Sequence, residues 1–326
     1  MNLPATAVEI NSYDRIIVLL SGGKDSVACL LRILELGADP AKIELHHHLV
    51  DGRESHLFDW PITEAYCEAI ASAFGIPLSY SWKVGGLLGE LQRNNQPTAP
   101  ISIPDGAGGQ LVLGGDGPLG TRLKFPQQSA SLTTRWCSAY GKIDPFNRWL
   151  CNDKTFEHSR TLVITGERAQ ESANRANYAV FEPHKADRRS SAKLARHVDH
   201  YRVVHSMSEN DVWDIIQQWS LSVHPAYWLG WSRTSCRLCV FNQKREWAKV
   251  RVIAPVEFQT IVKLEKASGL TIHRQHSVEQ QADAAEPFEL DPYWVALANS
   301  RVYTHPIFEP QWKLPPGAYS GNCGPT

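Results

Sequence analysis

The chain has 326 residues, with 33 lysines and arginines against 34 aspartates and glutamates, a formal charge of −1, and 43% hydrophobic residues. That length and composition suit a globular protein with one large core or two smaller ones, and the balanced charge means that any polyanionic partner must be met by a local patch. No stretch approaches the roughly 18–20 unbroken apolar residues of a membrane span, and the first residues lack the basic-then-apolar pattern of a secretory leader, so the expectation is no membrane contact and a cytoplasmic location.

The most informative segment comes first. An apolar strand over about 15–20 runs into Ser21-Gly22-Gly23-Lys24-Asp25-Ser26 and then into an apolar helix over about 25–37. Two adjacent glycines let the backbone approach an anion, the helix start offers unpaired N–H groups and a positive dipole end, and Ser21, Ser26 and Lys24 add hydroxyls and a cation. The bland alternative is a tight strand-to-helix turn with a capping serine. The spacing is neither the G-x-x-x-x-G-K-[ST] of Walker loops nor the G-x-G-x-x-G of dinucleotide folds.

Lys42–Val50 reads as a second strand, a helix over about 59–74 starts at Asp59 before Trp60-Pro61, and Leu78–Trp82 is a third strand. Residues 85–130, rich in Gly and Pro, read as an insertion over the active edge of the sheet, either a lid or a surface loop. A helix is expected from about Cys137 to Leu150, a fourth strand over Thr161–Thr165, another over Tyr201–His205, and a helix from Ser208 to about Trp219. Alternating strands and helices predict an α/β, Rossmann-like parallel sheet with ligands at the carboxyl ends of its strands, where the glycine loop, Asp51 and Gly166 fall. Residues 1–245 form the expected nucleotide-binding domain and 246–326 a mainly helical and coil extension.

Seven dispersed cysteines argue against a disulfide framework and leave metal, cluster or redox roles open. Cys29 and Cys67 sit in apolar helical patterns and read as small hydrophobes. His46-His47-His48 alternate across a strand, so the three cannot converge on one ion; His48 and Asp51 are placed to meet ribose, metal or substrate. Five tryptophans between 213 and 247 read as core anchors or base-stacking rings. Segments 184–197 and 243–251 are basic and could steer nucleic acid, or form solvated faces.

Ser-Gly-Gly-Lys-Asp-Ser resembles the PP-loop of ATP pyrophosphatases, whose fold is adenine nucleotide α-hydrolase-like. Three further segments extend the resemblance toward the branch of phosphoadenosine phosphosulfate reductases: Thr134–Pro145, Thr165–Arg175, and His224–Tyr227 with Ser232–Cys239. The resemblance implies ATP cleavage between the α and β phosphates with Mg²⁺, the loop 21–26 cradling the pyrophosphate, Asp25 helping to organise the metal, and Gly166, Arg168 and Arg175 beside the phosphates. Surface pairing of these arginines with Glu167 or Glu171 is the competing reading. The resemblance also implies that Cys137, Cys236 and Cys239 ligate a [4Fe–4S] cluster, with Zn²⁺ as the alternative. Trp136 stands where the reductases carry an adjacent cysteine, so a fourth ligand must come from elsewhere, with Cys323 ahead of Cys151.

The intact loop favours an ATP pyrophosphatase that adenylylates a substrate and couples to iron–sulfur-dependent sulfur transfer, as in the DNA phosphorothioation enzymes of this family, with a sulfur donor or partner protein implied. A sulfonucleotide reductase using Cys323 as nucleophile, and a non-catalytic nucleotide-binding subunit of a defence or modification complex, are the alternatives.

Overall fold

A computed structural model describes residues 8–287 and 289–319; Cys323 lies outside the described residues. Its centre is an eight-stranded sheet in the order β5-β4-β3-β2-β1-β6-β8-β7. The strands are β1 (Arg15–Leu19), β2 (Ile43–His48), β3 (Leu78–Lys83), β4 (Ile101–Pro104), β5 (Gln110–Leu113), β6 (Arg160–Ile164), β7 (Phe181–Pro183) and β8 (His197–Tyr201). β3, β2, β1, β6 and β8 run parallel, while β4, β5 and β7 add antiparallel edges.

β1 and β6 are mostly apolar because both of their faces are covered, whereas β2 beside them buries His46 and His47. Ile16 and Val18 of β1 enter a core with α1 (Lys24–Glu35) and α2 (Thr63–Phe74), whereas Ile17 between them faces the opposite side, toward Phe146, Trp149 and Leu150. α3 (Gly86–Leu91) and α4 (Trp136–Ser138) precede α5 (Asp144–Asn152), which carries those aromatic residues, and α6 (Ala173–Ala176) follows β6. α7 (Glu209–Gln218) starts with a capping box in which Ser208 and Asp211 exchange bonds, and it joins the α1 side.

A second core lies under α8 (Pro225–Trp228), α9 (Lys244–Ile253), α10 (Pro255–Ser268), α11 (Val278–Asp283) and α12 (Pro292–Asn299). Trp231, Trp247, Phe258 and Ile261 meet Val50, Phe58, Trp60, Leu87 and Trp136 there. The clustered tryptophans are largely core: Trp213, Trp231 and Trp247 are each at most 3% exposed. Among the described residues no helix is long and apolar enough to cross a membrane.

The sheet differs from the sequence expectation at its edges. The 85–130 segment is not one loop over the active edge, since it contributes α3 and then β4 and β5, which lengthen the sheet through Trp82↔Ser102 and Ile101↔Leu113. The short apolar runs Ile101–Ile103 and Leu111–Leu113 supply this pairing among glycines that masked the pattern. The strand expected at 201–205 ends at Tyr201, because Arg202–His205 turn away. The helix expected from Cys137 is interrupted by a wider turn over Ala139–Ile143 before α5 begins.

Candidate functional site

β1 passes to β2 and β3 on one side and pairs with β6 on the other, so the chain reverses direction across the sheet between β1 and β6. Crevices of this kind collect ligands at the carboxyl ends of parallel strands. The glycine loop leaves β1 at this point and Gly166 leaves β6 beside it. A Cβ on Gly166 would stand 3.0 Å from both the carbonyl carbon and oxygen of Asp25, so only glycine lets the two loops touch at their present separation.

Gly22 holds a left-handed φ of +77°, which an L side chain adopts only with strain. Gly23 caps α1 with no side-chain hydrogen bond to the first turn. Ser26 Oγ accepts from the Ser21 N–H at 3.1 Å and donates to the Gly23 carbonyl at 2.8 Å, so Ser26 stitches the loop closed. Its geometry makes it a brace for the loop, a task not foreseen for a phosphate-facing hydroxyl.

Lys24 is 5% exposed. Its ammonium lies 3.0 Å from Asp25 and 3.5 Å from Glu209. Burial pulls its pKa down, but the fields of Asp25, Tyr227 and Glu209 outweigh that and leave it above the ordinary lysine value. Asp25 is the mirror case: burial pushes its carboxyl up, while Lys24 and Arg168 outweigh it and hold the pKa below the usual range. Arg168 is also buried, its Nε donating to Asp25 at 2.5 Å and its Nη1 to Gln170 at 3.0 Å. Gln170 accepts from the Glu209 N–H as well, at 2.7 Å, which fixes the start of α7 to this cluster. The sequence-expected trio Lys24, Asp25 and Arg168 is thus brought together, and Glu209 is an acidic member that sequence reasoning missed.

The remaining expected residues are more dispersed. Arg175 is ion-paired with Glu171, which also accepts from the Arg168 N–H at 2.8 Å, so Arg175 supports the loop after β6. His48 shares a face with His46 and bonds Ser81 at 3.1 Å, while His47 on the other face reaches the Leu20 carbonyl at 2.7 Å, directly before the glycine loop. The alternation that forbids one three-histidine site is therefore present. Burial holds the pKa of His47 near 4 and that of His48 near 3, leaving both neutral. Asp51 accepts from the N–H groups of Phe58 and Asp59 at 3.0 and 2.8 Å, organising the turn before α2.

That turn carries a second missed feature. Burial, and then Asp51, raise the Asp59 pKa to about 7. Thr63 lies 3.2 Å from His224 Nε2, and the positions a Gly22 Cβ would touch are on Tyr66, His224 and Thr63. His224, held neutral by burial with a pKa near 3, accepts from the Ala226 N–H at 3.1 Å and so presents Nε2–H to Thr63. Local pattern marked Asp59 only as a helix start.

Cys137 and Cys236 pack against the second core, and the field of Cys239 reaches both. Burial pushes the Cys137 thiol to about 11 and Cys236 well above its ordinary value. Among the described residues no group of three or more His, Cys, Asp or Glu side chains could hold a metal ion. Neither a cluster, a zinc ion nor a preformed Mg²⁺ site therefore has a converged donor set among those residues. Cys151 is exposed and lies 3.5 Å from Arg196.

Much of the basic character of 184–197 and 243–251 is spent internally. Arg196 is buried on the Ala186 carbonyl, Arg189 pairs with Asp187 and Asp199, Lys249 is buried beneath Gly230 and Trp231, and Arg251 pairs with Asp283. Lys185, Arg188, Lys193 and Lys244 remain exposed.

No family model matches the chain. A relative of 26% identity over 154 residues, described as an uncharacterized 37.8 kDa protein in the gpa 5′ region of Escherichia phage 186, is matched over 47% of this chain and 43% of its own length. The chain thus spans less than half of that curated relative. Two structures of Candida glabrata FMN adenylyltransferase, one with FAD and inorganic pyrophosphate and the other with FMN and the ATP analog AMPCPP, overlap 68% and 70% of this chain and 54% and 56% of their own. Their identities are 11% and 9%, each with a TM-score of 0.36, an overlap too partial to carry an activity across.

Proposed function

We propose that the loop 21–26 binds the β and γ phosphates of ATP and that the chain is an ATP pyrophosphatase, transferring the adenylyl group to an acceptor. The observation that carries this reading is the placement of Gly22, Gly23 and the start of α1 at the β1/β6 crevice, with Lys24 and Arg168 buried on either side of Asp25. An acceptor oxygen would attack the α-phosphorus as its bond to the α–β bridging oxygen breaks and pyrophosphate leaves. Any Mg²⁺ would arrive on the triphosphate, since no preformed donor set stands among the described residues, and would supply charge neutralisation there.

Lys24 is charged at neutral pH and is the mobile cation of the site, since a phosphate oxygen can take the place that Glu209 occupies at 3.5 Å. Arg168, held at Nε and Nη1, keeps Asp25 and the loop after β6 in register. Sulfur transfer would draw on Cys137, Cys236 and Cys239, and nucleic acid as acceptor on Lys185, Arg188, Lys193 and Lys244.

Incubation with ATP labelled at the α-phosphate and Mg²⁺ tests it. AMP or an adenylylated acceptor with pyrophosphate is the expected result; ADP with orthophosphate, or no nucleotide binding at all, rejects it. Iron, sulfide and zinc analysis of anaerobically purified protein tests the sulfur-transfer arm.

A further inference from the structure

The first N–H of α1 is not left open. Lys24 N donates to the Tyr227 hydroxyl at 2.9 Å across 203 residues of sequence, and Tyr227 is 1% exposed. A helix start is ordinarily capped by a Ser, Thr, Asp or Asn side chain one residue earlier, a place held here by Gly23. A phenol from α8 takes over that task. Having accepted from Lys24, the phenol oxygen still carries its own proton and keeps the capacity to donate it.

A second hydroxyl lies over the same loop. The Thr234 carbonyl oxygen and Cβ are 3.5 and 3.7 Å from where a Cβ on Gly23 would be, so the 232–235 segment roofs the glycines. Thr234 Oγ1 is buried and has no hydrogen-bond partner, a costly arrangement for a polar atom. The roof is pinned, because Trp60 Nε1 donates to the Ser235 carbonyl at 3.0 Å and Leu238 N to the Phe58 carbonyl at 3.0 Å.

Charge bookkeeping shows why neutral donors would matter. The cations at the loop, Lys24 and Arg168, already face the carboxylates of Asp25 and Glu209. Two O–H donors add attraction for an anion without another counter-charge to displace. Resting on the nucleotide reading above, we infer that Tyr227 and Thr234 are phosphate-binding residues, donating their hydroxyl protons to the leaving pyrophosphate of the bound nucleotide and closing the glycine loop from the opposite side.

Calorimetric titration of the whole chain with an α,β-methylene ATP analogue and Mg²⁺, with inorganic pyrophosphate, and with adenosine tests this. Tyr227→Phe keeps the ring and its edge-to-face contact with Trp213 at 5.2 Å while removing the donor. It should weaken the analogue and pyrophosphate roughly tenfold and leave adenosine unchanged, with Thr234→Val moving the same way by less. Analogue binding equal to that of the unaltered protein, or an equal loss for adenosine, overturns the inference. Should Tyr227→Phe fail to fold, 3-fluorotyrosine placed at 227 gives a second reading: its fluorine resonance must move on adding pyrophosphate, and a resonance unmoved at saturation overturns the inference. If the unaltered protein binds neither analogue nor pyrophosphate, the nucleotide reading itself fails and takes the inference with it; binding that survives intact in both variants removes the inference alone.

Discussion

The glycine loop and the cysteine-bearing wall behind it are both buried and both drew attention from their residue types, yet they are built on different terms. At the loop every charge has an opposite within 3.5 Å: Lys24 faces Asp25 and Glu209, and Asp25 faces Arg168. At the wall, burial drives Cys137 and Cys236 toward the protonated thiol, and no converged ligand set stands among the described residues. A phosphate site can be prepared by backbone and paired charge before its ligand arrives, whereas thiolates need the metal itself to remove their protons. On the proposed reading, the ready-made site is therefore the loop.

The largest effect should come from its mobile cation. Lys24→Met is expected to lower ATP turnover by roughly a hundredfold or more, while Arg168 keeps Asp25 neutralised and the fold intact; near-normal AMP release from this variant would place the phosphates elsewhere. Next, Gly166→Ala forces a methyl against the Asp25 backbone and should cost about 1–3 kcal/mol of stability together with analogue affinity. Thermal melts with and without analogue separate the two losses.

A pH series sharpens the contrast at the turn between the regions. Asp59 titrates near 3.8 when unfolded and near 7 when folded, so the folded state retains the proton over that interval and stability falls as pH rises through it. Asp59→Asn should therefore match the unaltered protein near pH 4 and exceed it at pH 8 by about 1–2 kcal/mol, allowing for the residue's partial contact with water. A variant that is less stable at pH 8 would show that the ionised carboxylate is needed. The smallest effect is kinetic: exposed Cys151 should alkylate at least about tenfold faster than Cys137 and Cys236 at pH 8. If a chelator equalises the rates, metal rather than burial was protecting the wall.

The legible parts of this molecule were those in which one short segment carries the whole signal. Ile16–Leu20 followed by Gly22-Gly23 specified strand, loop and helix, and the 208–219 helix was marked by its own capping box. β4 and β5 were not legible, being four residues each in a stretch of glycine and proline, where pairing partners rather than propensity decide the strand. Glu209 and Tyr227 were equally hidden, since nothing near either one refers to residue 24.

By itself, the amino-acid sequence determined the local chemistry: a glycine turn that can face an anion, a cation and a carboxylate beside it, an arginine on the loop after a later strand, and alternation that divides three histidines between two faces. Tertiary structure alone decided the partnerships. It turned Ser26 into a brace, placed Glu209 on Lys24, brought a phenol from α8 to the start of α1, consumed Arg196 and Lys249 inside the fold, and paired Arg251 with Asp283 at the surface. The reason is physical: backbone preference acts over a few residues, whereas burial and pairing of charge depend on which distant segments the sheet order sets side by side.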